Sequence, residues 1–559
     1  MACPASDLNE ISSGDLPEEE RNQTTKDNDS QKSAVKRSPS LSLKEIYEEF
    51  CSNTSIHGFQ YFGQRRPKKE IGFWIIVFVI TIYFCTTIIV KIYTKWCETP
   101  VIVSFSEKST PIWNIPFPAV TICPETKRAL KEKDKDYGHL LESLKTYVAA
   151  GENLSENYSL HELQETLTLM HICRFEIDQV YEIPKLSHKP FDYFETMDRM
   201  LPTMERYLLL CKWFGKFQNC QELFRKVYTD AGVCYTFNTL QAKDLFRHEV
   251  LPNQGAMPAN KFPPLHWSLE EGYPEDNILL TYPSRVLSSG SESGLQIYLQ
   301  SFPQELDFTC NGAVQGFKIL LHSPDETPSV AKHFVRISGG KEILIAVKPK
   351  MITTSKDIAA YDPEKRRCFL STDRQLRFYK IYNQDNCERE CLTNFTYSQC
   401  GCVRFSMPHT QDMEICGEDK ISCYHKAKDR LKLQQFAEGL QKSSVTSFSS
   451  ADCNCLPGCT SLSYETEISE GSFDVQSTQK AFNVTELFKG QVSLVEIYFK
   501  ENQFITSRRS ELYGVSDLLA NFGGVFGLFM GISILSIVEL FYHCTLRLWS
   551  NMTLTSNVN

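Results

Sequence analysis

The 559-residue chain has no H-E-x-x-H, no phosphate-binding loop and no dinucleotide fingerprint. Their absence removes the commonest routes to metalloprotease, nucleotide-hydrolysing and dehydrogenase chemistry. Its one hydrolase-like string, GSESG (290–294), lacks the helix that a nucleophile elbow needs after it. LQIYLQSF follows instead and alternates like a strand, so GSESG is expected to be a turn. His171, His188 and His322 are isolated in sequence and read as packing or surface residues. No catalytic residue, metal site or cofactor is expected. The stretch between the two apolar runs has no long basic tract and the net charge is −9, so nucleic acid is not an expected partner. No period of 20–50 residues repeats, which excludes a solenoid or propeller. The first apolar run begins at residue 71 and is too long for the core of a signal peptide.

Two such runs are present. IGFWIIVFVITIYFCTTIIV (71–90) has twenty residues and LLANFGGVFGLFMGISILSIV (518–538) has twenty-one, both without charge. Each is long enough to cross a hydrocarbon core of roughly 30 Å as a helix, so membrane lipid is an expected partner. RRPKK (65–69) precedes the first run, and the positive-inside rule then puts the N-terminus in the cytoplasm. Lys91 and Lys95 blunt that asymmetry, and cysteine supplies a second line of support. Of twenty-one cysteines, seventeen lie between Cys97 and Cys459; only Cys3, Cys51, Cys85 and Cys544 fall elsewhere. That concentration fits an oxidising compartment on one side of two spans and disfavours zinc at CNCLPGC (453–459). Sequons at Asn153, Asn157, Asn394 and Asn483 agree with this topology as glycosylation sites. Those at Asn22, Asn28, Asn53 and Asn551 would face the cytosol.

The expected organisation is a disordered cytoplasmic tail (1–45), a pre-span segment (46–69), a first transmembrane helix (70–93), an extracellular cysteine-rich domain (94–512), a second transmembrane helix (513–545) and a cytoplasmic tail (546–559). Within the outer domain, strand-like runs fall at 100–106, 117–122, 232–238, 294–302, 315–322 and 341–348. Helical patterns fall at 127–150, 159–170, 215–229 and 424–442.

The second span is unusual in composition. Gly523, Gly527 and Gly531 share one helical face with Ser516 and Ala520, a pattern that lets membrane helices approach closely. Helix dimerisation alone would explain that stripe. Gly531-Ile532-Ser533 adds a mid-span place where backbone can leave the helix, tolerated only against protein or water. Glu539 adds a carboxylate of the kind that faces a water-filled pathway. Two helices cannot enclose a pore, but copies around an axis can, and symmetry turns Ser533 and Glu539 into rings.

Six strings in order resemble the degenerin/epithelial sodium channel superfamily over nearly all the chain past residue 50: SIHGFQYF (55–62), FPAVTICP (117–124), TDAGVCYTFN (229–238), GFKILLHSPDETP (316–328), the cysteine-rich pair YNQDNCERECLTNFTYSQCGCVRFSMP (382–408) with CNCLPGCTSLSY (453–464), and LLANFGGVFGLFMGISILSIVELF (518–541). Spacing and short tails are most similar to the insect pickpocket branch. There is no Pro-Pro-x-Tyr in the last ten residues and no clear Arg-x-x-Arg in 150–200, so ubiquitin-ligase control and furin activation are not expected.

The resemblance implies a membrane α+β fold. Two transmembrane helices would carry a large disulfide-rich extracellular palm, thumb and finger domain around a β core, in a homo- or hetero-trimer at the plasma membrane with both termini cytoplasmic. It implies the pairs Cys123–Cys234, Cys211–Cys220, Cys368–Cys459, Cys387–Cys455, Cys391–Cys453, Cys400–Cys423 and Cys402–Cys416. The last five would staple a thumb at about 368–460. Cys97, Cys173 and Cys310 are left over, with Cys173–Cys310 a candidate eighth pair. The implied function is a sodium-selective, amiloride-sensitive, voltage-independent cation channel subunit of sensory cells, gated by an extracellular or mechanical stimulus. Gly531, Ile532 and Ser533 would form its filter and Glu539 an inner ring. His57 and Gly58 would line the gate from below, with Gly527 near the blocker and Ala520 at the degenerin position. A two-pass receptor or adhesion protein that conducts nothing is the rival from another class. The overall layout also fits ATP-gated channels.

Overall fold

The computed structural model describes residues 43–63, 66–98, 101–129, 135–150, 160–173, 192–201, 203–251, 267–274, 281–441, 453–483 and 490–550. Residues 1–42 of the expected disordered tail, with Asn22 and Asn28, and Asn153, Asn157, His188 and most of the last segment, with Asn551, lie outside them; the last three residues of the expected tail, 43–45, begin a helix instead. Two compact units divide the chain: one takes everything up to Lys91 and from Leu519 onward, the other runs Ile92–Leu518.

The first unit is helical. A short helix, Leu43–Asn53, precedes the 31-residue helix Lys68–Glu98, which is long and apolar enough to cross a membrane. Its large side chains are exposed nearly all round, Phe73, Ile76, Val79 and Tyr83 among them, so its apolar surface is not confined to one face. Near its start, Phe78 takes Phe59 and Phe62 edge-on, and Trp74 stacks on Tyr61 at 3.9 Å. These rings hold the preceding segment against the helix. The second apolar run is two helices, Val515–Met530 and Ile534–Tyr542, the latter continued by a π-helical turn His543–Arg547. The axis bends by 68° at the break between them.

The second unit is built on two sheets. The larger has the order Val101–Pro111, Gln503–Glu511, Lys341–Thr354, Gln491–Phe499, Leu295–Ser301, Leu208–Trp213 and Lys216–Gln218, with Ser461–Ser472 pairing beside Lys341–Thr354. Lys341–Thr354 is its axis. It runs parallel to Gln491–Phe499, antiparallel to Ser461–Ser472 and, at its last residues, parallel to Gln503–Glu511. Ile343, Ile345 and Val347 alternate into the core beside Leu295, Ile297, Leu299, Val495 and Ile497. The period of two in the sequence is what makes this side-selective burial geometrically available.

The smaller sheet, ordered Val335–Ile337, Phe317–His322, Ala119–Pro124, Gly232–Phe237 and Phe224–Thr229, is covered on both faces. Its centre is not wholly apolar. Lys318 and Glu125, 2% and 4% exposed, form an ion pair at 2.9 Å. His322 donates from Nδ1 to the Ser323 carbonyl at 2.9 Å, and burial pushes its imidazole down to about 4, so it packs as a neutral ring. His171 stacks on Tyr424, and burial pushes it down to about 3.

The strand-like runs of the sequence all lie in strands, and helices occupy Tyr137–Ala150, Leu160–Ile172 and Ile421–Gln441. Residues 215–229 do not form a helix. They make Lys216–Gln218, a single turn Cys220–Leu223 and the strand Phe224–Thr229, whose six residues pair with Gly232–Phe237. The apolar spacing there satisfies both periods over so short a run, and hairpin pairing decides for the strand. GSESG holds a 3-10 turn at Ser291–Ser293, not an elbow. A Cβ on Gly294 would lie 2.1 Å from the Ile497 carbonyl oxygen, so only glycine lets the turn lie against the sheet.

Eight disulfides link Cys123–Cys234, Cys173–Cys310, Cys211–Cys220, Cys368–Cys459, Cys387–Cys455, Cys391–Cys453, Cys400–Cys423 and Cys402–Cys416. Cys453, Cys455 and Cys459 are thus all in disulfides rather than grouped as metal ligands. Cys97 is free and exposed. The helix Gln384–Cys400 starts with the Asn383 side chain accepting from the Asn386 N–H and ends at Gly401 in the left-handed region (φ 71°). Cys387–Cys455 and Cys391–Cys453 fasten it to the chain beyond, Cys400–Cys423 ties it to Ile421–Gln441, and Cys368–Cys459 and Cys402–Cys416 close the flanking chain. Asn394 and Asn483 are both exposed.

Lys318→Met leaves the buried Glu125 carboxyl with Arg336, 3.5 Å away, as its remaining cationic partner, and is expected to destabilise the second unit by up to about 3–5 kcal/mol. Lys318→Met with Glu125→Leu should recover most of that loss. Thermal unfolding of detergent-solubilised protein, followed by fluorescence size exclusion, measures both. Cys459→Ser opens a loop between residues 91 apart. It should cost roughly 2–5 kcal/mol and make Cys368 reactive to a thiol label that leaves Cys368 of the unaltered protein unmarked, as peptide mapping of the labelled cysteines would show.

Candidate functional site

The break in the second apolar run is where the first unit departs from regular structure. Gly531 has φ +64°, a left-handed conformation that glycine adopts without penalty, and it ends the helix Val515–Met530. The Gly531 N–H still reaches the Gly527 carbonyl at 3.0 Å, but the Ile532 N–H reaches back to Phe526 at 3.3 Å. The Ser533 N–H turns away to the Ser536 hydroxyl at 3.0 Å. The carbonyls of Leu528 and Phe529 therefore lose the donors that a continued helix would give them. Ser533 restarts the helix as its N-cap, its hydroxyl accepting from the Ser536 N–H at 3.2 Å in a reciprocal capping box.

A second stretch of chain meets the break. The His57 N–H donates to the Met530 carbonyl at 2.8 Å. A Cβ at Gly531 would fall 2.7–2.8 Å from three atoms of the His57 ring, so the contact admits only glycine on two counts. Gly58, at φ +89°, turns the chain beside Phe78 and leads into the aromatic cluster on Lys68–Glu98. The far end of the second half-helix is fastened too. Arg547 reaches both Glu49 carboxylate oxygens at 3.0 and 3.1 Å, and Phe50 packs edge-on against His543.

The predicted site residues therefore fall in two groups. Gly531, Ile532, Ser533, His57 and Gly58 come together at the break, and Glu539 lies just beyond it, half-buried, within reach of the 54–58 segment. Ala520, Gly523 and Gly527 lie on the exposed first half-helix, and a Cβ at Gly523 or Gly527 would meet nothing within 4 Å. That glycine stripe has no partner within this single chain among the described residues. The residues that sequence reasoning missed are Met530, whose carbonyl is the anchor, and the serines Ser55 and Ser536. Only Ser536 had a sequence signal, the capping-box spacing of a serine three places after Ser533.

A model of the family described as amiloride-sensitive sodium channel matches residues 50–543. Pickpocket protein 28 of Drosophila melanogaster is 28% identical over 519 residues, covering 90% of this chain and 79% of that protein. The sodium channel protein Nach of Drosophila melanogaster is 22% identical over 526 residues, 92% of this chain and 89% of its own. Acid-sensing ion channel 1A of Danio rerio is 23% identical over 507 residues, 88% and 86% of the two chains. With a family match over most of its length, this chain belongs to the amiloride-sensitive sodium channel family.

Proposed function

We propose that the chain is a subunit of a sodium-selective, voltage-independent, amiloride-sensitive cation channel of the plasma membrane, gated by an extracellular or mechanical stimulus in sensory cells. It crosses the membrane twice with both termini in the cytoplasm, and three such subunits, alike or related, surround one pathway. The observation that carries this is the helix break at Gly531–Ser533. An apolar segment that gives up helical hydrogen bonds at mid-depth has a reason to do so only where freed carbonyls and hydroxyls meet protein or water. Copies around an axis turn those groups into a ring able to replace part of a cation's hydration shell. The unpartnered glycine stripe supports assembly, because it offers close approach to a helix that this chain alone does not supply. The relatives named as sodium channels and as an acid-sensing ion channel support the same reading. A receptor that conducts nothing has no need of the break.

Two experiments test it. Bulkier residues at Ser533 are expected to change the sodium-to-potassium permeability ratio or abolish current in cells expressing the chain, alone or with related subunits. Unchanged reversal potentials across a series of Ser533 substitutions would remove it from the filter. Ala520 tests the gate. In this reading it faces a converging neighbour in the closed state, where overpacking costs about 1–3 kcal/mol, and the wider open state escapes most of it. At about 1.4 kcal/mol per tenfold, Ala520→Val or Phe should raise the unstimulated open-to-closed ratio by roughly ten- to a hundredfold. A flat Ala, Val, Phe series at matched surface expression would put Ala520 against lipid instead.

A further inference from the structure

The helix Ile421–Gln441 carries two adjoining stripes at helical spacing. Tyr424, Ala427 and Leu431 are buried at i, i+3 and i+7, and His425, Lys428 and Lys432 repeat that spacing one residue further on. All but Ala427 line a cavity of about 560 Å³, which Glu388, Arg389 and Leu392 of Gln384–Cys400 line as well. Cys453 and Cys455 form another part of its wall, each tied by a disulfide to Gln384–Cys400. The cavity is therefore held open by covalent links and has the size of a small-molecule site.

Its charges do not balance. Five lining cations, Lys332, Arg389, Arg404, Lys428 and Lys432, meet three acids, Asp230, Asp385 and Glu388. Lys332 is already bound by both Asp385 and Glu388, which leaves four cations to Asp230. Arg404 spends Nη2 on the carbonyls of His171 and Asp230, at 2.7 and 2.9 Å, and its Nη1 makes no hydrogen bond among the described residues. Lys428 is half-buried and makes no ion pair among the described residues. Burial pushes its ammonium below the usual lysine range; Asp230 opposes that shift, and Lys432 and Arg404 add to it. Burial, and then Arg404, hold His425 down to about 4, so its ring is neutral. A basic stripe is ordinarily a solvated face, as Lys426 and Arg430 are on the exposed side of the same helix. Lys428 differs, because it has lost part of its hydration beside other cations, and an anion would offset both costs. The remaining lining is apolar: Leu392, Met407, Leu431 and Leu456.

We propose that this cavity binds a small organic anion, a carboxylate or sulfonate carried on a compact apolar body. Arg404, Lys428 and Lys432 take the acid group, and Leu392, Met407, Leu431 and Leu456 take the body. An inorganic anion would leave the apolar wall wet, and a neutral apolar molecule would leave the cations uncompensated. Binding here does not depend on conduction, so its failure leaves the channel reading intact.

Thermal unfolding of the detergent-solubilised full-length protein, followed by fluorescence size exclusion, reads binding as a saturable rise in midpoint. The probes are 4-phenylbutyrate and naphthalene-2-sulfonate, with 4-phenylbutan-1-ol and inorganic phosphate as controls. Both organic anions should act at concentrations about tenfold or more below those at which either control acts. Lys428→Gln with Lys432→Gln should weaken the two organic anions by about tenfold or more. Lys426→Gln with Arg430→Gln, which removes the same charge from the exposed side of that helix, should leave them unchanged. No rise with either organic anion, equal weakening in the two double variants, or an equal effect of the alcohol overturns the proposal. A second readout needs no variant. In the unaltered protein, 4-phenylbutyrate should slow acetylation of Lys428 by sulfo-N-hydroxysuccinimide acetate and leave that of Lys426 alone, as peptide mapping would show. Unslowed acetylation of Lys428 at a probe concentration that saturates the midpoint shift places the anion elsewhere and overturns the site.

Discussion

The hydrogen bond from the His57 amide to the Met530 carbonyl is the contact on which the helical unit's irregular part depends. A break in an apolar helix strands several backbone groups, and each one left without a partner in a medium without water costs several kcal/mol. Here one carbonyl is satisfied by a distant stretch of chain, one N–H by a serine hydroxyl, and the next turn by a capping box. The Leu528 and Phe529 carbonyls are among the groups that lose their helical donors. A break stabilised in this way is a fixed feature rather than a kink of convenience, and the identity of Gly531 follows from it. The residue must hold φ +64° and also leave room for an imidazole less than 3 Å from where its Cβ would be.

The second unit, Ile92–Leu518, meets a different constraint, that of holding a long chain to one fold. Its two sheets share no strand, and Lys341–Thr354, bonded to three partners, gives the larger sheet a register that cannot slip without turning Ile343, Ile345 and Val347 outward. The helices at 384–441 have no comparable sheet to lie on, and their own apolar faces are modest. Tyr424, Ala427 and Leu431 are buried on one helix, while Leu433 and Phe436 further along it are exposed. Disulfides from Cys368 to Cys459 take over where packing is thin.

How much of this was legible in the sequence varied with the physics involved. Lys68–Glu98 was plain because twenty uncharged residues have few alternatives, and the six strand-like runs were plain because alternation is a local signal. Phe224–Thr229 was misread as helical because Leu223, Phe224, Val227 and Tyr228 satisfy a helical spacing. The decision for strand came from pairing with Gly232–Phe237 and from Cys220 meeting Cys211, both tertiary facts. Ser461–Ser472, Gln491–Phe499 and Gln503–Glu511 went unremarked, although SLSYETEISEGS alternates. Its outward face is so exposed that apolar content stays low. At the site, Gly531 and Ser533 announced a break by composition alone. What met that break was not legible, since nothing local links His57 to Met530.

That last point bears on how the site forms. Neither half of it is complete by itself: the second half-helix begins at Ser533 whether or not His57 is near, but the Met530 carbonyl is satisfied only when the 54–58 segment has returned to it. The segment is in turn held by Phe59 and Phe62 on Phe78 and by Tyr61 on Trp74, all within the aromatic start of Lys68–Glu98. Formation of the break is thereby coupled to docking of the 57–62 segment on Lys68–Glu98. In the channel reading, a subunit in which that segment has not yet docked has an open backbone defect in an apolar medium. That defect, more than any loss of apolar contact, is what would mark it as unfinished, because lipid replaces lost contacts between apolar side chains but offers no donor to a carbonyl.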